Sequence, residues 1–243
     1  MNISLRYRYL IILVMGFFFV LSTSTWASQK IFVQASAGSF NDIAIHQLFA
    51  KNPTLQAEIE FSGTPSNTFK LAQEQHALAF SAVENSTIAG KLVQASVDAL
   101  QEYKVIQVKA LITIPIELCA LMNKKDVEDK KPISFIASHP AALAQITRWK
   151  KSINATELPI SGGTSLAAKK VADQTLPTGT AAIGSCGLAS VYPNLSIVQQ
   201  GIEENKNNTT TFLLLNVKKR TLPVSEEIAR EELMVAITTG RQL

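Results

Sequence analysis

The chain has 243 residues, 47% of them hydrophobic and 17% charged, enough for the core of one large domain or two small ones. Its formal charge is only +4, and no cluster of lysine and arginine is interleaved with aromatic residues, which argues against nucleic acid as a partner. His46, His76 and His139 stand far apart without ligand-like companions, so no metal site is expected.

In chain order, Arg6 and Arg8 precede an unbroken apolar run, Tyr9 to Leu21, and Thr25 and Ala27 occupy the small positions ahead of Ser28. This three-part pattern reads as a secretory signal over residues 1–27, with an uncleaved membrane anchor as the alternative. The apolar run is short for a comfortable transmembrane helix. Cleavage would remove two arginines and leave a nearly neutral mature chain, periplasmic or secreted, with no membrane contact. Cys119 and Cys186 then face an oxidising compartment. They could pair or remain as two buried thiols, because spacing alone does not show that their Cα atoms approach.

Beyond the signal, IFVQAS (31–36), AEIEFSG (57–63) and HALAFSAV (76–83) read as strands. Each is followed by a helical pattern, at FNDIAIHQLFAKN, NTFKLAQEQ and GKLVQASVDALQEY. The stretch VIQVKALITIPIELCAL (105–121) is too long for one ordinary strand, and Pro115 cannot occupy a central ladder position. It reads as the connection between two lobes, made of two strands or one bent one. NKKDVEDKKP follows as a solvated loop whose charges need no partner.

A second series begins at PISFIAS (132–138) and continues through ELPIS (157–161) and AAIGS (181–185), each leading into a helix. LSIVQQGI and TTTFLLLNV supply two more strands, and SEEIAREELMVAI (225–237) a closing helix. The expected fold is α/β: two lobes with mostly parallel sheets and an inter-lobe cleft, similar to periplasmic solute-binding proteins. In open α/β sheets ligands sit beyond the carboxyl ends of strands, so the residues there are the candidates.

Four stretches meet that criterion. In AVENSTIAG (82–90), Asn85 offers an amide to a ligand, although an Asx turn explains it as well. In IASHPAALAQ (136–145), Ser138 sits where a helix N-cap belongs, and Gln145, about two turns on, would share its face. In SGGTSLAAKK (161–170), the Gly162–Gly163 turn precedes a helix whose free N–H groups could hold an anion, while Thr164 could simply cap it. The fourth is KNNTTTFLLL (206–215), a β-branched strand entry that needs no function by itself. No nucleophile–base pair stands out, and GSCG (184–187) is not a hydrolase elbow.

Taken together and in order, these stretches resemble the catalytic domain of the prephenate dehydratase family. ASAGSF (35–40) resembles the family's glycine turn, with Ala35-Ser36 in place of Gly-Pro. VENSTIAG, SHPAALAQ, TSLAA, AAIGS and NTTTF (208–212) are similar to E-N-S-x-x-G, S-H-P-x-A-L-x-Q, T-A-x-A-A, A-A-I-x-S and N-x-T-R-F. The resemblance runs from about residue 31 to 217. It implies a cofactor-free lyase that takes prephenate, or its amino analogue arogenate, to an aromatic product. It also implies Thr210 as the catalytic hydroxyl, with Asn85, Ser138, Gln145, Ser39 and Thr164 contacting substrate. The expected organisation is a domain over 28–220, divided into lobe 1 (about 28–105 plus 203–220) and lobe 2 (about 106–202), then a C-terminal helix in 221–243; a homodimer is possible.

The family arginine after the catalytic threonine is Thr211 here, so a guanidinium able to fork onto a substrate carboxylate is missing. That leaves a non-catalytic binding protein for an aromatic or cyclohexadienyl carboxylate as the competing reading. Lys206 is the near cation in sequence. Phenylalanine-sensing (ACT) and chorismate mutase regions are not expected.

Overall fold

A computed structural model describes residues 30–87 and 90–243. The expected signal, residues 1–27, lies outside the described residues. The strands are β1 (Lys30–Gln34), β2 (Glu58–Gly63), β3 (Leu78–Asn85), β4 (Tyr103–Pro115), β5 (Leu118–Asn123), β6 (Phe135–Ser138), β7 (Thr156–Pro159), β8 (Thr180–Ser185), β9 (Leu195–Gln199) and β10 (Thr209–Lys219). The helices are α1 (Phe40–Lys51), α2 (Pro65–Glu74), α3 (Gln94–Glu102), α4 (Lys124–Glu128), α5 (Pro140–Leu143), α6 (Thr147–Ile153), α7 (Thr164–Ala172), α8 (Leu188–Val191) and α9 (Glu226–Gly240). Among the described residues no helix is long and apolar enough to cross a membrane.

Two five-stranded sheets form the two lobes, in the orders β2-β1-β3-β10-β4 and β7-β6-β8-β5-β9. β1 is parallel to β2 and β3, and β6 to β7 and β8, as the βα rhythm leads one to expect. The other half of each sheet is antiparallel, so the sheets are mixed rather than mostly parallel. The reason is the double crossover. β5 and β10 are the strands by which the chain enters the second lobe and returns to the first. Each therefore starts at the end of the sheet where its βα neighbours finish.

The crossover also lies later than residue 106. Residues 103–115 form β4 along the full length of β10, and Pro115 closes it at the edge of the sheet, where a missing amide is tolerated. The chain then passes to the second sheet between Pro115 and Leu118. The long apolar stretch is thus two strands in two sheets.

β10 is buried on both faces and organises the first lobe. Phe212 and Leu214 turn toward Ile45 and Leu48 of α1, with Phe212 stacked on Phe80 at 5.6 Å. Leu213 and Leu215 turn the other way, toward Phe69, Leu100 and Leu233 of α2, α3 and α9. Burying one such side chain contributes about 1.5–3 kcal/mol, so the register of β10 is strongly specified.

Cys119 and Cys186 form a disulfide, with Cα atoms 5.2 Å apart, tying β5 to the turn after β8. The charged stretch 123–132 is not a solvated loop. It contains α4, capped by the Asn123 side chain, and the Asp126 carboxylate is buried and accepts the Gly179 N–H at 2.8 Å. Charge density hid an acid whose burial is compensated by a backbone donor.

The two crossover segments are bonded to each other. Ile116 N donates to Asn208 O (2.9 Å) and Ile202 N to Leu118 O (3.1 Å). Buried Glu203 accepts from Leu118 N at 2.8 Å and from Lys206 Nζ at 2.9 Å. Burial pushes the Glu203 carboxyl upward, but the Lys206 ammonium and the Leu118 N–H together outweigh it and hold its pKa below the ordinary value. Lys206 also donates to Gly201 O, so this cation belongs to the crossover and not to the threonines beside it in sequence.

Candidate active site

β3 ends, and the antiparallel β10 begins, at the same edge of the first lobe, so Asn85 and Thr210 are register partners. Asn85 Nδ2 donates to Thr210 Oγ1 at 2.8 Å and to Asn208 Oδ1 at 3.0 Å. Its Oδ1 accepts from Thr87 N (2.9 Å) and Thr87 Oγ1 (2.5 Å). The Thr87 N–H can only donate, which sets the orientation of the Asn85 amide. The Asx turn and the contact to Thr210 therefore coexist, one on each end of the same side chain.

Asn208, 1% exposed, carries the network into the second lobe, its Nδ2 donating to Gln145 Oε1 at 2.6 Å. Gln145 in turn donates to Ala141 O at 3.0 Å. Thr210, Asn85, Asn208 and Gln145 thus form one chain of hydrogen bonds across the interface between lobes. Thr210, 8% exposed, accepts in this chain, and among the described residues nothing accepts its own proton. A hydroxyl whose oxygen already receives an N–H is a better donor for that polarisation.

Asn208 belongs to the N-x-T segment but was not among the candidate residues. Its signal was the spacing: two residues before Thr210 in a strand entry places it at the crossover. Asn41, in the first turn of α1, is a second buried polar residue not anticipated, and its Oδ1 has no partner among the described residues.

The remaining candidates lie at strand ends but outside this chain of bonds. Ser39 is buried and caps α1 through Asp42 N at 3.3 Å. Ser138 is fully buried and donates to Ile183 O at 2.6 Å. It does not cap the following helix; His139 does, through its ring nitrogen to Ala141 N. That helix is a single turn ending at Leu143, so Gln145 lies beyond it and is not on a shared helical face with Ser138. Thr164 is likewise not a cap but the first residue of α7. The cap position is Gly163, at φ +98°, and among the described residues no side chain caps the helix. A helix start without a capping side chain leaves its first N–H groups able to receive an anion.

Thr211 faces the opposite side of the sheet from Thr210, as successive strand residues must. Its cross-strand partners are Glu84 and Thr113, and its Oγ1 lies 2.9 Å from Thr113 Oγ1 and 3.3 Å from Glu84 Oε2. An arginine at 211 would therefore pair with Glu84 behind the sheet rather than fork onto a ligand beside Thr210. The site as described contains no group of three or more metal-ligating side chains among the described residues.

The profile of the prephenate dehydratase family matches residues 31–220. A prephenate dehydratase of Methanocaldococcus jannaschii is 40% identical over 93 residues, covering 37% of this chain and 32% of that protein, so the match spans about a third of the relative's length. The structure of prephenate dehydratase from Arthrobacter aurescens in complex with L-Phe superposes with a TM-score of 0.62 at 24% identity, over 81% of this chain and 62% of that one. GqqA, described as a novel type of quorum-quenching acylase, superposes with a TM-score of 0.57 at 21% identity, over 81% of this chain and 66% of that one. These two structures share the fold.

Proposed function

This chain belongs to the prephenate dehydratase family, and on that premise we propose that it converts prephenate to phenylpyruvate, water and carbon dioxide between its two lobes. The bond to the ring carboxylate breaks to release carbon dioxide, and its electron pair enters the ring. The ring C–OH bond breaks, and the departing oxygen takes one proton to leave as water. The aromatic product supplies the driving force, so the protein has to hold a dianion and protonate one oxygen.

One observation carries the reading: the Thr210 oxygen receives the Asn85 N–H, and among the described residues no group accepts its own proton. Thr210 is the hydrogen-bond donor to the leaving hydroxyl, and Asn85 orients it. A threonine is a weak acid in free solution, so most acceleration comes from positioning and polar stabilisation in a water-poor site. Gln145 and Asn208 hold the lobes together around the substrate. Thr164 lines it, Ser39 and Ser138 brace its walls through their bonds to Asp42 N and Ile183 O, and the uncapped start of α7 receives a carboxylate. Arogenate presents the same leaving group and is the alternative substrate. The Cys119–Cys186 bond supports an oxidising, exported location, since such bonds rarely persist in reducing compartments.

A second reading, a binding protein for the same acid, rests on a different observation. Among the described residues no lysine or arginine hydrogen-bonds to Thr210, Asn85, Asn208 or Gln145. The test separates the two. The chain from Ser28 onward is incubated with prephenate at neutral pH and phenylpyruvate is followed against the spontaneous rate. Turnover that falls at least about a hundredfold in Thr210→Ala supports the lyase. Saturable prephenate binding without turnover supports the binder and sinks the lyase.

A further inference from the structure

Behind the strand that carries Thr210 lies a polar recess of about 220 Å³ lined by Glu84, Lys91, Thr113, Thr211 and Arg241, among others. The side chain of Glu84 is only 18% exposed, and a carboxylate so placed is costly unless it is paired. Thr211 supplies one weak donor at 3.3 Å. The cation comes from the far end of the chain. α9 packs its terminal Gly240 against Leu111 and Leu213, and the next residue, Arg241, places Nη2 at 2.6 Å from Glu84 Oε2.

Glu84 and Asn85 are neighbours at the tip of β3, pointing to opposite faces. Asn85 is bonded forward to Thr210, and Glu84 is bonded backward to Arg241. We propose that Arg241 is a positioning residue for the reaction: acting through Glu84, it fixes the end of β3 and so sets the Asn85 amide against the Thr210 hydroxyl. This rests on the lyase reading for its effect on rate, but not for its effect on Asn85. Arg241 touches neither Thr210 nor Asn85. Its contribution is a half-exposed ion pair, so the effect is a moderate one.

The register makes the idea testable by relocation. Position 211 lies directly opposite Glu84, so a guanidinium introduced there can replace the one carried by α9. The variants are Arg241→Gln and the double change Arg241→Gln with Thr211→Arg, plus Arg241→Lys to retain the charge. Each is read by steady-state kinetics with prephenate and by the NMR signals of the Asn85 side-chain amide, which need no turnover. Arg241→Gln should lower kcat about fivefold with KM changed less than about twofold, and should shift the Asn85 amide signals. Arg241→Lys should keep more of both, and the double change should restore both. Unchanged Asn85 signals in Arg241→Gln, or a double variant that does not restore them, would overturn the proposal. Absence of turnover in the unmodified chain would remove the lyase reading, while the amide signals still decide the role of Arg241.

Discussion

Replacing Asn85 by aspartate tests the orientation of Thr210 with almost no change in shape. The oxygen that accepts from Thr87 is retained, so the Asx turn survives. The amide nitrogen becomes an oxygen, and the two N–H bonds at 2.8 Å to Thr210 and 3.0 Å to Asn208 are lost. The Thr210 proton then has a carboxylate acceptor within reach and turns toward it, away from the substrate. Removing one preorganised donor of this kind costs about 10²–10³ in kcat, or about 3–4 kcal/mol of transition-state stabilisation. Stability should fall by less, about 1–2 kcal/mol, because the Thr210 hydroxyl replaces one of the two lost bonds. The assay is phenylpyruvate formation under saturating prephenate, alongside urea denaturation of both proteins. A protonated carboxyl can donate again, so the deficit should narrow as the pH falls through the carboxyl range. A folded Asn85→Asp protein with kcat within about threefold of the unmodified chain would refute the assignment of Thr210 as an oriented donor.

Two further predictions concern the scaffold. Glu203 has its folded-state pKa held below the ordinary value of 4.5, so its stabilising contribution is fully present above that value and is lost as the pH falls through the lower folded value. Glu203→Gln should therefore cost about 1–3 kcal/mol at neutral pH, and the two proteins should converge in acid; equal denaturation midpoints at pH 7 would contradict the crossover role. Replacing both Cys119 and Cys186 by serine opens a loop with a sequence separation of 67, worth about 4 kcal/mol of unfolded-state entropy. The urea midpoint should drop accordingly, and a midpoint insensitive to both the substitutions and reductant would mean that the bond contributes nothing.

Most of the fold was legible because its strands are short apolar runs flanked by helices of clear period. Expected and observed bounds agree to within about three residues for β1 to β3, β6 to β10 and helices α1, α2 and α9. By contrast, α4 lies in a stretch that reads as loop, and the helix from Pro140 stops after one turn. The sheets' antiparallel halves were not legible. Nothing local in LCALMN or TTTFLLLNV says which way the strand runs; that depends on where the chain crosses between lobes. Asp126 was hidden for a similar reason. Within a run of seven charges, the one buried acid is distinguished only by Gly179, a residue 53 positions away. Ser138 and Thr164 failed as caps because the following helices start one residue away from where a polar side chain suggests.

The candidate site shows the same division between local and relayed information. Thr210, Asn85 and Gln145 were singled out by motif, and the structure joins them through Asn208. Thr211 read as a loss at the ligand because it adjoins Thr210 in sequence. In a strand, adjacency in sequence means opposition in space, so its side chain belongs to the other face. The partner of that face is Glu84, retained in this chain, and a half-buried acid is best met by a cation. Lys206 is nearer in sequence but is held by Glu203 and Gly201, whereas Arg241, at the end of the last helix, is delivered by the packing of Gly240 on Leu213. The charge around Glu84 is thus met from another element, and the hydrogen bond that Thr210 receives on the opposite face is built without an arginine at 211.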